Sequence, residues 1–88
     1  MNWELHLRGH VKKTIRRLSE KDRMRIAEAL KELRSDPYMG DIEKLEGEEN
    51  SWRRRIGAFR ITYEVDAKEK IIRIFKIKRR TSTTYRKR

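Results

Sequence analysis

The sequence predicts a small single-domain α+β fold of order β-α-α-β-β-β, with an antiparallel-dominated sheet packed against an αα-hairpin. Three observations predict it. Residues 52–65 alternate apolar and polar positions on either side of Gly57-Ala58, the pattern of two strands joined by a two-residue turn. Ahead of them, two runs with apolar residues at helical spacing meet at Ser19, which can cap the second. Finally, a chain of 88 residues with 35% hydrophobic content makes one domain. A domain this small buries only about 60–65% of its unfolded surface, so one helical layer on one sheet is the limit.

Taken in order, Trp3, Leu5 and Leu7 alternate with Asn2, Glu4 and His6, giving a short half-buried strand that ends near Gly9. From His10 to Leu18, the residues Val11, Ile15 and Leu18 recur at helical spacing opposite Lys12, Lys13, Arg16 and Arg17. Ser19-Glu20-Lys21-Asp22 has the form of a capping box and opens a second helix. Its buried stripe is expected to hold Ile26, Ala27, Leu30 and Leu33, with Met24 at the edge. Asp36-Pro37 ends it, because the residue before proline avoids helical geometry. Tyr38 to Ser51 reads as a glutamate-rich loop with glycines at 40 and 47, anchored by Ile42 and Leu45.

The central hairpin has a fixed register, since glycine supplies the positive φ that the first position of a type II′ turn requires. Ile56 then opposes Phe59, Arg55 opposes Arg60, Arg53 opposes Thr62 and Trp52 opposes Tyr63. Arg53, Arg55 and Arg60 emerge on one face and the apolar residues on the other. Like charges placed directly opposite each other destabilise a strand pair, so this face makes physical sense as the seat of an anion. Asp66 to Glu69 form a polar turn, and Lys70 to Lys78 a final strand. Simple alternation puts Ile71, Phe75 and Ile77 on one of its faces and Ile72, Ile74, Lys76 and Lys78 on the other, the two-sided apolar character of a central strand. Lys76 and Lys78 would then extend the basic face of Arg53 and Arg55. Residues 79–88 carry no core signal and read as a basic segment, whether tail, edge strand or lid.

The net charge of +11 is distributed unevenly. Residues 1–50 hold eleven basic and eleven acidic side chains, whereas residues 51–88 hold fourteen against Glu64, Asp66 and Glu69. Such a concentration is an electrostatic footprint for a polyanion, and nucleic acid fits better than a membrane because no amphipathic helix carries the excess. Without cysteine there can be neither a disulfide frame nor a Cys-based zinc site. His6, His10 and the scattered carboxylates lack the spacing of a metal cage, so no cofactor or metal is expected. No apolar run is long enough to span a bilayer, and the N-terminus lacks the apolar core of a signal peptide; the expected location is the cytoplasm.

Lys44-Leu45-Glu46-Gly47, the run Trp52-Arg53-Arg54-Arg55-Ile56-Gly57-Ala58-Phe59-Arg60-Ile61-Thr62-Tyr63 and the terminal Arg79…Tyr85 pair together resemble the RelE/ParE toxin superfamily over nearly the whole chain. The resemblance implies a RelE-like fold, residues 1–88 as one toxin domain with 79–88 contributing to the site, and an acidic RelB-like antitoxin as partner. The RelE branch cuts messenger RNA in the ribosomal A site, in contact with ribosomal RNA, whereas the ParE branch poisons DNA gyrase. Arg53 and Arg55 match basic positions of RelE-type nucleases, Arg60 their Gly-x-Phe/Tyr-Arg arginine, and Arg79 with Tyr85 their C-terminal Arg-x5-Tyr pair. ParE proteins typically lack that tyrosine, which points to RelE. The hairpin loop is shorter than in the best-known bacterial enzymes, and arginines replace lysines, as suits an archaeal or thermophilic relative. Arginine cannot serve as a base at neutral pH.

The implied chemistry is metal-free attack by the 2′-OH of the RNA itself. For this, a protein must orient the hydroxyl, stabilise the phosphorane charge and manage two protons. Arg60 and Arg79 are the candidate phosphate clamp, because a guanidinium offers bidentate bonds to phosphate oxygens. Tyr85 is either a base or a stacking platform for a nucleobase. Arg53, Arg55, Lys76, Lys78, Arg80 and Arg86 are the candidate RNA-binding residues. Against this stand simpler readings: Arg60 could pair with Glu64 on its own strand face, Arg55 could be a solvated surface charge, and Trp52, Phe59 and Tyr63 suit a core better than base stacking. A ParE-like gyrase inhibitor and an inactive RelE-fold RNA-binding protein are the alternative functions.

Overall fold

Two helices lie across one face of a five-stranded sheet in the computed structural model, which describes residues 3–79. The elements run β1 (Glu4–Leu7), α1 (Gly9–Arg16), α2 (Glu20–Ser35), β2 (Ile42–Lys44), β3 (Ser51–Ile56), β4 (Phe59–Asp66) and β5 (Ile71–Arg79). The strand order is β1-β5-β4-β3-β2. Only β1 and β5 run parallel; the other pairs are antiparallel. The α+β arrangement is thus the one expected, with β2 added. Three residues within the glutamate-rich loop suffice for this strand, because Ile42, Glu43 and Lys44 pair with Arg54, Arg53 and Trp52 at the free edge of β3.

The helices start and stop for local reasons. The Ser19 hydroxyl accepts from the Asp22 N–H at 3.2 Å, and Glu20 and Asp22 place acidic charge in the first turn of α2. At the other end, Asp36 is extended ahead of Pro37. Helix α1 has no side-chain N-cap and is only two turns long, so its stability comes from packing rather than propensity. Val11 is fully buried, with Ile15 and Leu18 packed at the core margin.

Strand β4 is the spine of the core. Phe59, Ile61, Tyr63 and Val65 are buried, while Arg60, Thr62, Glu64 and Asp66 between them are half-exposed. Against this face pack Ile72, Ile74 and Ile77 of β5 and Ile26, Ala29, Leu30 and Leu33 of α2. Each buried Val, Leu, Ile or Phe side chain contributes about 1.5–3 kcal/mol by leaving water. Ala29 holds the place expected for Ala27, which is exposed, and Met24 stands 66% exposed rather than at the stripe's edge. Arg54 is buried as well, on the helix side of β3. Its guanidinium meets the Glu32 carboxylate at 2.6 Å and lies beneath Gly40, where φ is +94° and a Cβ would fall 2.7 Å from the Arg54 Cζ.

Candidate nucleic-acid interface

The sheet face away from the helices is assembled by three strands whose registers are set independently. The β3–β4 hairpin has the pairing that its two-residue turn dictates, Ile56 with Phe59 through Trp52 with Tyr63, and Gly57 has φ +59°. Partners directly opposite share a face, so Arg55 with Arg60 and Arg53 with Thr62 lie on the open side. Strand β5 then joins β4 with an irregularity between Thr62 and Tyr63. Tyr63 pairs with Ile74, but Thr62 pairs with Lys76, leaving Phe75 as the extra residue.

That bulge corrects the simple alternation expected for β5. Ile72, Ile74 and Ile77 all reach the core, while Arg73, Lys76 and Lys78 stand on the open face with their partners Glu64, Thr62 and Arg60. Lys76 and Lys78 therefore join the basic face without carrying Ile72 and Ile74 out with them. One inserted residue reverses which side each later side chain takes. The same shift moves Arg79 the other way. It pairs with Phe59 on the helix side, its Cζ lying 5.0 Å from the Phe59 ring centroid and its Nη1 3.3 Å from Asp22 Oδ2. The expected clamp of Arg60 with Arg79 does not form, because the two side chains occupy opposite faces of the sheet. Tyr85, Arg80 and Arg86 lie outside the described residues.

Two cationic rows result. Arg55, Arg60 and Lys78 cross β3, β4 and β5 at the hairpin end; Arg53, Thr62 and Lys76 form the next row. Strands about 4.8 Å apart, with residues of one face repeating every ~7 Å, put five cations within the reach of a few nucleotides. Two charges ~6 Å apart repel by about 0.7 kcal/mol in bulk water and ~3 kcal/mol at an effective dielectric of 20. An anion seated among them relieves several such repulsions at once. Among the described residues, Arg55, Arg60, Lys76 and Lys78 make no ion pair, and Arg53 has one, to Glu43 of β2 at 3.5 Å. The pairing considered between Arg60 and Glu64 is not seen: Glu64 contacts Arg73 at 3.4 Å. Thr62, a hydroxyl between Arg53 and Lys76, was not singled out from sequence, although its place two residues after Arg60 was signal enough. Beside the rows, a hollow of about 660 Å³ is lined by four glutamates, Glu43, Glu46, Glu48 and Glu49, against two cations, Lys44 and Arg53, a net negative lining that disfavours a polyanion.

A sequence model for the ParE toxin of type II toxin-antitoxin systems, parDE, matches residues 4–83. This chain belongs to the RelE/ParE toxin family. Among solved structures, the toxin is similar to the archaeal RelE-RelB complex from Pyrococcus horikoshii, with 30% identity, TM-score 0.81 and coverage of 94% of this chain and 100% of that one. It shares its fold with the isolated E. coli RelE toxin, at 17% identity, TM-score 0.80 and coverage of 93% and 88%. The same holds for the RelBE2 complex of Mycobacterium tuberculosis, at 17% identity, TM-score 0.78 and coverage of 91% and 100%. No curated protein matches the sequence. Within the superfamily, the 30%-identical relative is an archaeal RelE, which supports the RelE-type branch. Among the described residues no helix is long and apolar enough to cross a membrane.

Proposed function

We propose that this toxin is a ribosome-dependent endoribonuclease that cuts messenger RNA in the ribosomal A site, in the cytoplasm, without a metal. The observation that carries the reading is the set of five cations, Arg53, Arg55, Arg60, Lys76 and Lys78, on one face of three adjacent strands. Arg60, at the centre of the first row, is the phosphate ligand best placed to stabilise a phosphorane, and Arg55 opposite adds a second guanidinium. The 2′-oxygen attacks phosphorus as its proton is removed, the P–O5′ bond breaks to leave a 2′,3′-cyclic phosphate, and the departing 5′-oxygen takes a proton from water to become a hydroxyl. Arginines stay protonated at neutral pH and cannot take the hydroxyl proton, so the base comes from elsewhere, with Tyr85 the proposed candidate. Arg79, tethered to Asp22 on the helix side, is given no part in the clamp. The RelE-RelB complex among the similar structures supports an antitoxin partner; in this reading it is RelB-like and acidic, and a segment of it covers the basic rows.

The ParE description of the matching family model favours a second reading, inhibition of DNA gyrase. Induction of wild type, Arg55→Ala/Arg60→Ala and Tyr85→Phe in cells separates the two. Nuclease action gives codon-positioned cuts in translated messages that the double variant loses. Gyrase inhibition gives loss of supercoiling and intact messages. Full growth arrest by both variants would exclude the assigned residues.

A further inference from the structure

The open face is not uniformly basic, and its charge falls in order along the strands. The first row, Arg55–Arg60–Lys78, holds three cations, with Asp41 next to Arg55, whose N–H its carbonyl accepts at 2.9 Å; in the second, two cations, Arg53 and Lys76, flank Thr62, with Glu43 beside Arg53. The third row, Ser51–Glu64–Arg73–His6, pairs one acid with one base. In the fourth, Asp66–Ile71–Glu4, the only charged groups are two carboxylates, with His6 3.1 Å from Glu4. Arg73 is the last cation along this gradient, and it is held from both sides, by Glu64 and by Asp66 at 3.4 Å each. Asp66 is itself fixed: its Oδ1 accepts from the Glu69 N–H at 3.1 Å, and this bond first, with Arg73 beside it, holds the carboxyl below the usual aspartate range. With a carboxylate on each side, Arg73 is occupied.

Resting on the RNA-binding reading above, we propose that Glu64 and Asp66 end the RNA track. They withdraw Arg73 from phosphate and present net negative charge beyond it, so the backbone crosses the strands at the hairpin end and does not run along them. Glu64 and Asp66 are positioning residues that set the extent of the footprint. A polyanion following the strands would find no free cation in the Glu64–Arg73 row and would meet net negative charge at Asp66, ~20 Å from Arg60 and three rows on. One crossing β3, β4 and β5 stays among cations throughout.

Counting phosphate contacts tests this, since each one on single-stranded nucleic acid steepens the dependence of log K on log salt by about 0.7. Binding of a 12-nucleotide oligouridylate by the full chain is followed by fluorescence anisotropy at several salt concentrations. Glu64→Gln/Asp66→Asn frees Arg73 and steepens the slope by about 0.7, a further ~2.6-fold loss of affinity over a fourfold rise in salt. Arg73→Gln alone leaves the wild-type slope, and the triple variant returns to it. If the double variant keeps the wild-type slope, or the triple variant retains the steeper one, the track does not end there. Arg55→Ala/Arg60→Ala separates the two levels: an unchanged slope in that variant removes the RNA-binding reading itself, whereas a slope shallower by about 1.4 retains it. Should the double variant fail to fold, as judged by circular dichroism, Glu64→Ala/Asp66→Ala, which also removes both carboxylates from Arg73, carries the same comparison.

Discussion

Removing either partner of the Arg54–Glu32 pair should have very different consequences, because the two ends of the pair are not equally buried. The Arg54 side chain is 7% exposed and Glu32 is 40% exposed. The guanidinium's other contact is a long 3.5 Å bond to the Met39 carbonyl, and its Nε has no partner. Glu32→Ala therefore leaves a buried cation almost uncompensated. Losing one partner of a fully buried pair costs about 3–5 kcal/mol; with one partner in contact with water, about 2–4 kcal/mol is expected here. Arg54→Met leaves only a carboxylate that water can solvate, and the thioether follows the channel of the arginine stem, so the change should stay within about 1 kcal/mol of wild type. The double variant should match Arg54→Met, giving a coupling energy equal in size to the Glu32→Ala loss, about 2–4 kcal/mol. Urea denaturation with linear extrapolation measures all four proteins. If Arg54→Met destabilises as much as Glu32→Ala, the asymmetry of burial is not what governs this pair.

Gly40→Ala should cost about 1–3 kcal/mol, since φ +94° strains any L side chain and the added Cβ meets the Arg54 guanidinium; in the Arg54→Met background the steric part should shrink, which denaturation midpoints would show. Tyr63 is fully buried and donates to the Pro37 carbonyl. Burial pushes its hydroxyl well above the ordinary value of 10.0, so the unfolded chain loses its proton first. Stability from this group is present below pH 10 and declines above it by up to about 1.4 kcal/mol per pH unit. Tyr63→Phe should remove that component of the alkaline slope while lowering stability at neutral pH by about 1 kcal/mol through the lost hydrogen bond, and urea titrations from pH 8 to 11 would detect a failure of either effect.

Much of this molecule follows from short-range rules. The turn at Gly57-Ala58 fixes six cross-strand partners, and Ser19 and Pro37 bracket α2. Period-two alternation alone sets Arg53, Arg55 and Arg60 apart from Phe59, Ile61 and Tyr63. Each of these depends on a residue and its immediate neighbours, so the sequence by itself determined them. What it could not settle is whatever depends on a distant partner. The three residues of β2 have no strand signal of their own and exist because β3 offers a free edge. The basic character of Arg54 gives no hint that Glu32, twenty-two positions earlier, draws it inward. Above all, the bulge at Phe75 arises only when β5 must satisfy β4 and the core together. Continuous alternation cannot bury Ile72, Ile74 and Ile77 at once, and burying three isoleucines outweighs the disturbed ladder. That single inserted residue brought Lys76 and Lys78 to the basic face and turned Arg79 towards Asp22, so the membership of the candidate site was decided by tertiary packing.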